Sequence, residues 1–347
     1  MDLESGFEEA FDEDVYSNMT SPNGTDFYVN YPTRVVLSIA FLIMTVVGIV
    51  GNVFVIGAVI LSRRLQTAMN AFVVNLAVAD LLACITFPTQ SMALLGVGYI
   101  PVGICVTTAV FDITSLGCSL FTVTMIAVNR YIRITQTMNV YQKIYTPQNI
   151  AIMIVMSWII APICMILASG KICGIFLVEH NAPFLSWLVP ILLVASLVTI
   201  LTCYILIFLF LKRHAATCMA TSKRLDISIT KNLLYVVCAF YACVLPYVVV
   251  ITAANFHRSN AFYTVYTVFI INLNMNSVVN PIIYAARHPI FKPIFGFMIK
   301  CQWYNIPELS RFARSIGKDQ RDGSSLDKSY SSGVKTELTQ DMASASV

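Results

Sequence analysis

Seven long apolar runs follow one another along the chain, with short polar stretches between them. They cover about Val35 to Leu61, Met69 to Leu95, Cys105 to Tyr131, Ile150 to Ala168, Leu185 to Leu211, Ile227 to Ala254 and Phe262 to Ala286. Each reaches the ~20 residues that a helix needs to cross a hydrocarbon core. An all-α membrane protein follows, a seven-transmembrane helix bundle. After the seventh run, Phe291, Ile294, Phe295 and Met298 recur at helical spacing, with Lys292 and Lys300 between and beyond them. This predicts a short amphipathic helix along the membrane surface. The expected organisation is an acidic extracellular tail (1–34), a bundle (35–286), an amphipathic cytoplasmic helix (287–301) and a disordered cytoplasmic tail (302–347).

The third run carries the most informative polar marks. Asp112 and Arg130 lie eighteen residues apart, about five helical turns, so they point the same way. The rise of ~1.5 Å per residue separates them by roughly 27 Å, close to a ~30 Å hydrocarbon core. One helix thus carries an acid near one membrane face and a base near the other. A charge in the bilayer costs at least ~2.5 kcal/mol, so each needs a partner or a wet site.

Composition agrees: 57% of the residues are hydrophobic and 12% charged, and the mean hydropathy is +0.75. The charge distribution adds orientation. The first 34 residues hold eight acids and one base, Arg34. Bases cluster in alternate loops, at Arg63 and Arg64, at Arg133 and Lys143, from Lys212 to Lys231, and from Arg287 to Lys300. The N-terminus is therefore expected outside and the C-terminus in the cytoplasm, at the plasma membrane. Bases that flank spans in short loops argue against nucleic acid as a partner. The first 30 residues lack an apolar run, so the first span is expected to serve as an uncleaved insertion signal.

Of ten cysteines, this topology leaves only Cys105 and Cys173 at the oxidising face. They make a candidate disulfide, two free thiols being the alternative. Asn18 and Asn23 stand in glycosylation acceptor triplets on the same side. Cys301 is a candidate palmitoylation site after the amphipathic segment, with an unmodified thiol as the alternative. Ser324, Ser325, Ser329, Ser331 and Ser332 are candidate kinase targets in a polar tail.

Asn52, Asp80, Ser119, Asn276, Ser277 and Asn280 fall at mid-span depth on four runs. Polar groups there must bond one another or water. A shared hydrated cluster around Asp80 is expected. Its hard oxygens suit a sodium ion, and a purely structural hydrogen-bond network is the alternative. Pro246 and Pro281 each remove a backbone donor and kink their helices.

Asn52, the LAVAD run ending at Asp80, Cys105 with Cys173, Asn129-Arg130-Tyr131, Trp158, Pro246 and Asn280 to Tyr284 occur in order and spacing that resemble the rhodopsin-like (class A) G-protein-coupled receptors. The resemblance covers about Val35 to Cys301. It implies that an extracellular ligand moves the sixth helix outward and frees Arg130, with Tyr284 and the loops near Val140 and Lys223, for a heterotrimeric G protein. Asp226 is then a candidate resting-state partner of Arg130. Arrestin, receptor kinases and membrane lipids are further candidate partners.

The chain departs from that pattern in several places. Asn129 replaces the usual acid, which predicts raised basal signalling. Val244 replaces the usual tryptophan. Ser196, eight residues before Tyr204, replaces the usual proline. Asp112 matches the position that pairs with the ammonium in amine receptors. A small cationic ligand is therefore expected, lined by Phe111, Ser115, Tyr247, Phe269, Asn272 and Asn274. The alternatives are a peptide or other non-amine ligand, with Asp112 held internally by Asn272 or Asn274. Retinal is disfavoured, because the seventh run has no lysine for a Schiff base. A channel or transporter is the alternative of a different class, although no inverted repeat or midplane charge pair supports it. No enzyme motif is present.

Overall fold

The computed structural model describes residues 30–96, 100–168, 172–173, 176–177, 183–213, 221–253 and 260–310. Side chains at 102, 105, 161–162, 164–189, 221–226, 251, 260–264, 266 and 304 fall outside that description. Asn18, Asn23, the tail serines and the side chains of Cys105, Cys173 and Asp226 therefore lie outside the described residues.

The helices are α1 (Tyr31–Leu61), α2 (Ala68–Leu95), α3 (Val102–Thr135), α4 (Met138–Ile144), α5 (Pro147–Ala168), α6 (Pro183–Arg213), α7 (Thr221–Ala253), α8 (Asn260–Asn274), α9 (Asn276–Arg287) and α10 (Phe291–Ile299). Strands β1 (Ile172–Cys173) and β2 (Phe176–Leu177) form a small antiparallel pair between α5 and α6. Among the described residues, six helical segments are long and apolar enough to cross a membrane, and α5 adds the apolar stretch Pro147–Ile160. With α8 and α9 as one broken span, seven helices make the bundle.

Local chemistry sets the ends. The Asn30 side chain accepts from the Thr33 N–H at 3.2 Å and Pro32 sits in the first turn, a helix start of the expected kind. Residues 31–34, expected in the tail, therefore belong to α1. Gly96 ends α2 at φ 68°, a left-handed cap that costs glycine little.

Large apolar side chains point both ways. Phe41, Phe72, Phe87 and Phe240 are fully buried, whereas Val36 (64% exposed), Phe208 (65%) and Val249 (65%) face outward, as a lipid-embedded surface requires. A large apolar core fills the half of the bundle that holds Arg130, around Leu76, Ile126, Ile200, Leu233, Phe240 and Phe291. A smaller one around Phe41, Phe87 and Ile270 fills the outer half. Tyr247 packs against both.

Polar ties cross the bundle. Trp158 Nε1 donates to Asn75 Oδ1 at 2.8 Å, and Asn75 Nδ2 donates to Thr122 Oγ1 at 2.8 Å, joining α5, α2 and α3. Such bonds in membrane bundles average about 0.6 kcal/mol each. Their larger contribution is to fix helix rotation.

Three features differ from the sequence expectation. The seventh span breaks at Met275, between α8 and α9, six residues before Pro281. The apolar face of α10 is buried in protein: Phe291, Ile294, Phe295 and Met298 are at most 5% exposed, and Phe295 meets Phe54 of α1 edge-on at 6.0 Å. Lys292, Pro293, Ile299 and Lys300 are exposed, so one face of α10 docks on the bundle while Ile299, 70% exposed, stays outside it. Finally, residues 302–310, grouped with the disordered tail, are ordered. They turn at Cys301 (φ 53°) and run back to the loop between α1 and α2. There Ser62 pairs with Leu309 and the Ser310 N–H donates to the Leu61 carbonyl at 2.8 Å.

Candidate functional site

Three polar groups lie along the bundle axis. The outermost surrounds Asp112 of α3. Thr86 Oγ1 donates to Asp112 Oδ1 at 2.6 Å and Gln90 Nε2 to Oδ2 at 2.5 Å. Both donors lie on α2, one helical turn apart. Gln90 Oε1 in turn accepts from Asn274 Nδ2 at 3.4 Å. Asn274 thus reaches the acid only through Gln90. Neither Thr86 nor Gln90 stood out in the sequence, although their four-residue spacing on the face opposite α3 was the available signal.

The other expected ligand residues divide. Ser115 is buried and its hydroxyl donates to the Ala79 carbonyl at 2.7 Å, tying α3 to α2. Asn272 is committed elsewhere: its Nδ2 donates to the Ala242 carbonyl at 3.2 Å and to the Cys243 carbonyl at 2.9 Å. Ala242 lies four residues before Pro246, whose ring nitrogen has no proton to give it. Phe111 lines a cleft of about 250 Å³ between α2 and α3, with Ile85, Thr86, Thr89, Thr107 and Thr108. Ile85 is 60% exposed, so the cleft opens sideways toward lipid. Phe269 and Tyr247 are half-buried.

The middle group surrounds Asp80, which is fully buried. Asn280 Nδ2 donates to Asp80 Oδ2 at 2.9 Å, and Ser277 and Ser119 stand close enough to interact with the carboxylate. Asp80 Oδ1, Ser119 Oγ, Asn276 Oδ1 and Asn280 Oδ1 are buried without a hydrogen-bond partner. Asn52 joins at the edge: its Nδ2 donates to the Ser277 carbonyl at 2.9 Å. Ser277 lies four residues before Pro281, so Asn52 satisfies a second carbonyl that a proline leaves without its helical donor.

The third group surrounds Arg130, which is 5% exposed. Tyr204 and His288 lie within reach of its charge, and Tyr284 lies beside Tyr204. Tyr284 stacks on Phe291 of α10 at 5.4 Å. Asn129 is fully buried and its Nδ2 donates to the Tyr141 hydroxyl of α4 at 3.2 Å. Arg133 covers the same ring at 5.1 Å. Tyr131 is half-buried. His288 did not stand out among the sequence motifs; its Nδ1 accepts from the Ile290 and Phe291 N–H groups, both at 3.3 Å. It thereby starts α10. Burial, with a smaller contribution from Arg130, pushes its imidazole down to about 3.

An acid at the outer end, a wet-type cluster in the middle and a buried arginine at the inner end form one polar path through a seven-helix bundle. Residues 51–284 match the family described as 7 transmembrane receptor (rhodopsin family), and the chain belongs to it. It is a multi-pass membrane receptor and not an enzyme. The zebrafish (Danio rerio) melatonin receptor type 1B-A is 37% identical over 139 residues, 39% of this chain and 48% of that one. The match thus spans about half the length of that relative. The crystal structure of squid rhodopsin superposes with a TM-score of 0.67 at 21% identity, over 84% of this chain and 92% of that one. At that identity the likeness concerns the fold.

Proposed function

We propose that this receptor sits in the plasma membrane with its N-terminus outside, binds a small extracellular ligand near Asp112 and activates a heterotrimeric G protein through Arg130. The observation that carries the reading is the placement of Arg130. It is buried with Tyr204, Tyr284 and His288 at the inner end of α3, behind a proline-kinked α7. Outward motion of α7 exposes Arg130 to a partner.

A cationic amine is the first ligand reading. The recorded partners of Asp112 are neutral donors that orient its carboxylate without cancelling its charge, and a carboxylate accepts about four hydrogen bonds. Two sites remain for an ammonium. A neutral ligand is the second reading, favoured by the relative named for melatonin. Here Asp112, Thr86 and Gln90 serve as a rigid wall. A panel of biogenic amines and melatonin, assayed for G-protein activation on the native chain and on Asp112→Asn, separates the two. An amine response abolished by Asp112→Asn supports the first. A melatonin response that survives the substitution supports the second. Silence to every compound in the native chain counts against both.

The middle group fits a sodium ion. Its unpaired atoms are oxygens of a carboxylate, a hydroxyl and two amides, the hard donors such an ion takes. Asp80, Ser119 and Ser277 would hold it, with Asn276 and Asn280 at its margin. The ion would supply positive charge beside Asp80. Sodium should then raise the thermal stability of the native chain and not that of Asp80→Asn.

A further inference from the structure

At the junction of α3, α6 and α7, three hydroxyls form a directed chain. Tyr241 of α7 donates to Ser196 Oγ of α6 at 2.9 Å. Ser196 and Thr124 of α3 are 2.6 Å apart. Thr124 already donates its proton to the Leu120 carbonyl at 2.9 Å, so Ser196 is the donor in that pair. Each hydroxyl gives one bond to the next, and the last ends on backbone. Bonds aligned in this way polarise and reinforce one another.

The surroundings are apolar. Phe240, Val244, Ile200 and Leu193 are at most 2% exposed, and Phe240 meets the Tyr241 ring at 5.4 Å. A hydroxyl stranded there loses its bond without replacement by bulk water. Position along the helices matters as much. Tyr241 lies five residues to the cytoplasmic side of Pro246, on the half of α7 that a hinge at the proline would carry outward. Thr124 lies six residues, or roughly 9 Å, outward of Arg130 on α3.

We propose that Thr124, Ser196 and Tyr241 are a hydroxyl latch that holds the inner half of α7 against α6 and α3. The Tyr241–Ser196 bond is the one that opens when the receptor switches. Ser196, which stands where related receptors usually carry proline, is the hub. It is the only member bonded to both neighbours, and a proline there would have no hydroxyl to offer. The latch regulates the switch proposed above, and only the signalling readout below depends on that reading.

The test uses the full chain in lipid nanodiscs, followed by hydrogen–deuterium exchange and by ligand-free nucleotide exchange on added G protein. Tyr241→Phe keeps the ring and removes the hydroxyl. It should speed amide exchange across Ile227–Tyr241 and raise basal nucleotide exchange, on the order of two- to tenfold for one net hydrogen bond. Ser196→Ala and Thr124→Val should act in the same direction, Thr124→Ser should behave as native, and Tyr241→Phe with Ser196→Ala should exceed neither single change by much. Native exchange in Tyr241→Phe overturns the latch. So does an effect of Thr124→Ser equal to that of Thr124→Val, which would trace it to packing. Faster amide exchange with unchanged nucleotide exchange overturns the latch's part in switching; no nucleotide exchange in any variant, the native chain included, removes the G-protein reading instead.

Discussion

Asn272 donates to the Ala242 carbonyl across the α8–α7 interface at 3.2 Å, supplying the hydrogen bond that Pro246 cannot. The gap that Pro246 leaves in the α7 backbone ladder is therefore closed by a side chain from a neighbouring helix, and α8 must stay in register with it. Asn272→Leu should lower the melting temperature of purified protein, at a cost of about 1–3 kcal/mol for an abandoned buried carbonyl. Placed on Pro246→Ala, which restores the missing N–H, the same substitution should cost much less. Equal losses in both backgrounds would show that Asn272 acts through packing.

Asn129 and Tyr141 tie α3 to α4. The neutral amide leaves Arg130 without an adjacent carboxylate in sequence. Asn129→Asp places one there, and a buried ion pair beside Arg130 favours the closed arrangement. Basal nucleotide exchange on G protein should fall below that of the native chain. An unchanged or higher basal rate would mean that Arg130 is held by its other neighbours alone.

His288, just past the end of α9, has a folded pKa of about 3 against an ordinary 6.5. The unfolded chain therefore binds more protons between those values. The stability that neutral His288 contributes is whole above pH 6.5 and is lost as pH falls toward 3. At pH 5.5 the loss amounts to about 1.4 kcal/mol. His288→Asn, which keeps an acceptor for the start of α10, should show a shallower decline in melting temperature from pH 7.5 to 5.5. Parallel declines would assign the acid sensitivity to other groups.

Two glycines of α1 mark close helix approaches. A Cβ on Gly48 would collide with Cys84 Sγ, and one on Gly51 would stand 2.8 Å from Cβ of Pro281. Gly51→Ala should lower the yield of folded receptor, because the proline ring cannot move aside. Gly48→Ala should be largely rescued by Cys84→Ala, which removes the obstructing sulfur.

The spans and the vertical order of Asp112, Asp80 and Arg130 were legible because hydrophobic run length and helical rise are properties of one chain segment. Partner choice between segments was not. Asp112 was expected to face a cationic ligand, with Asn272 or Asn274 as its alternative partner; α2 presents Thr86 and Gln90 to it instead. Asn272 was read as lining the ligand site, because nothing local reveals that it faces the carbonyl freed by a proline twenty-six residues earlier in the chain. The break at Met275 is silent for the same reason. Pro281 marks the neighbouring turn, where the Ser277 carbonyl lacks its helical donor and takes Asn52 instead.

The return of residues 302–310 to the first loop decides where the rest of the C-terminus begins. It departs beside Leu61, under the α1 corner of the bundle, instead of from the rim of α10. A fluorescent reporter attached at Ser310 is thereby held beside Leu61 at the end of α1. Cutting the Ser62–Leu309 pairing should release such a reporter from α1, read as a fall in its fluorescence anisotropy.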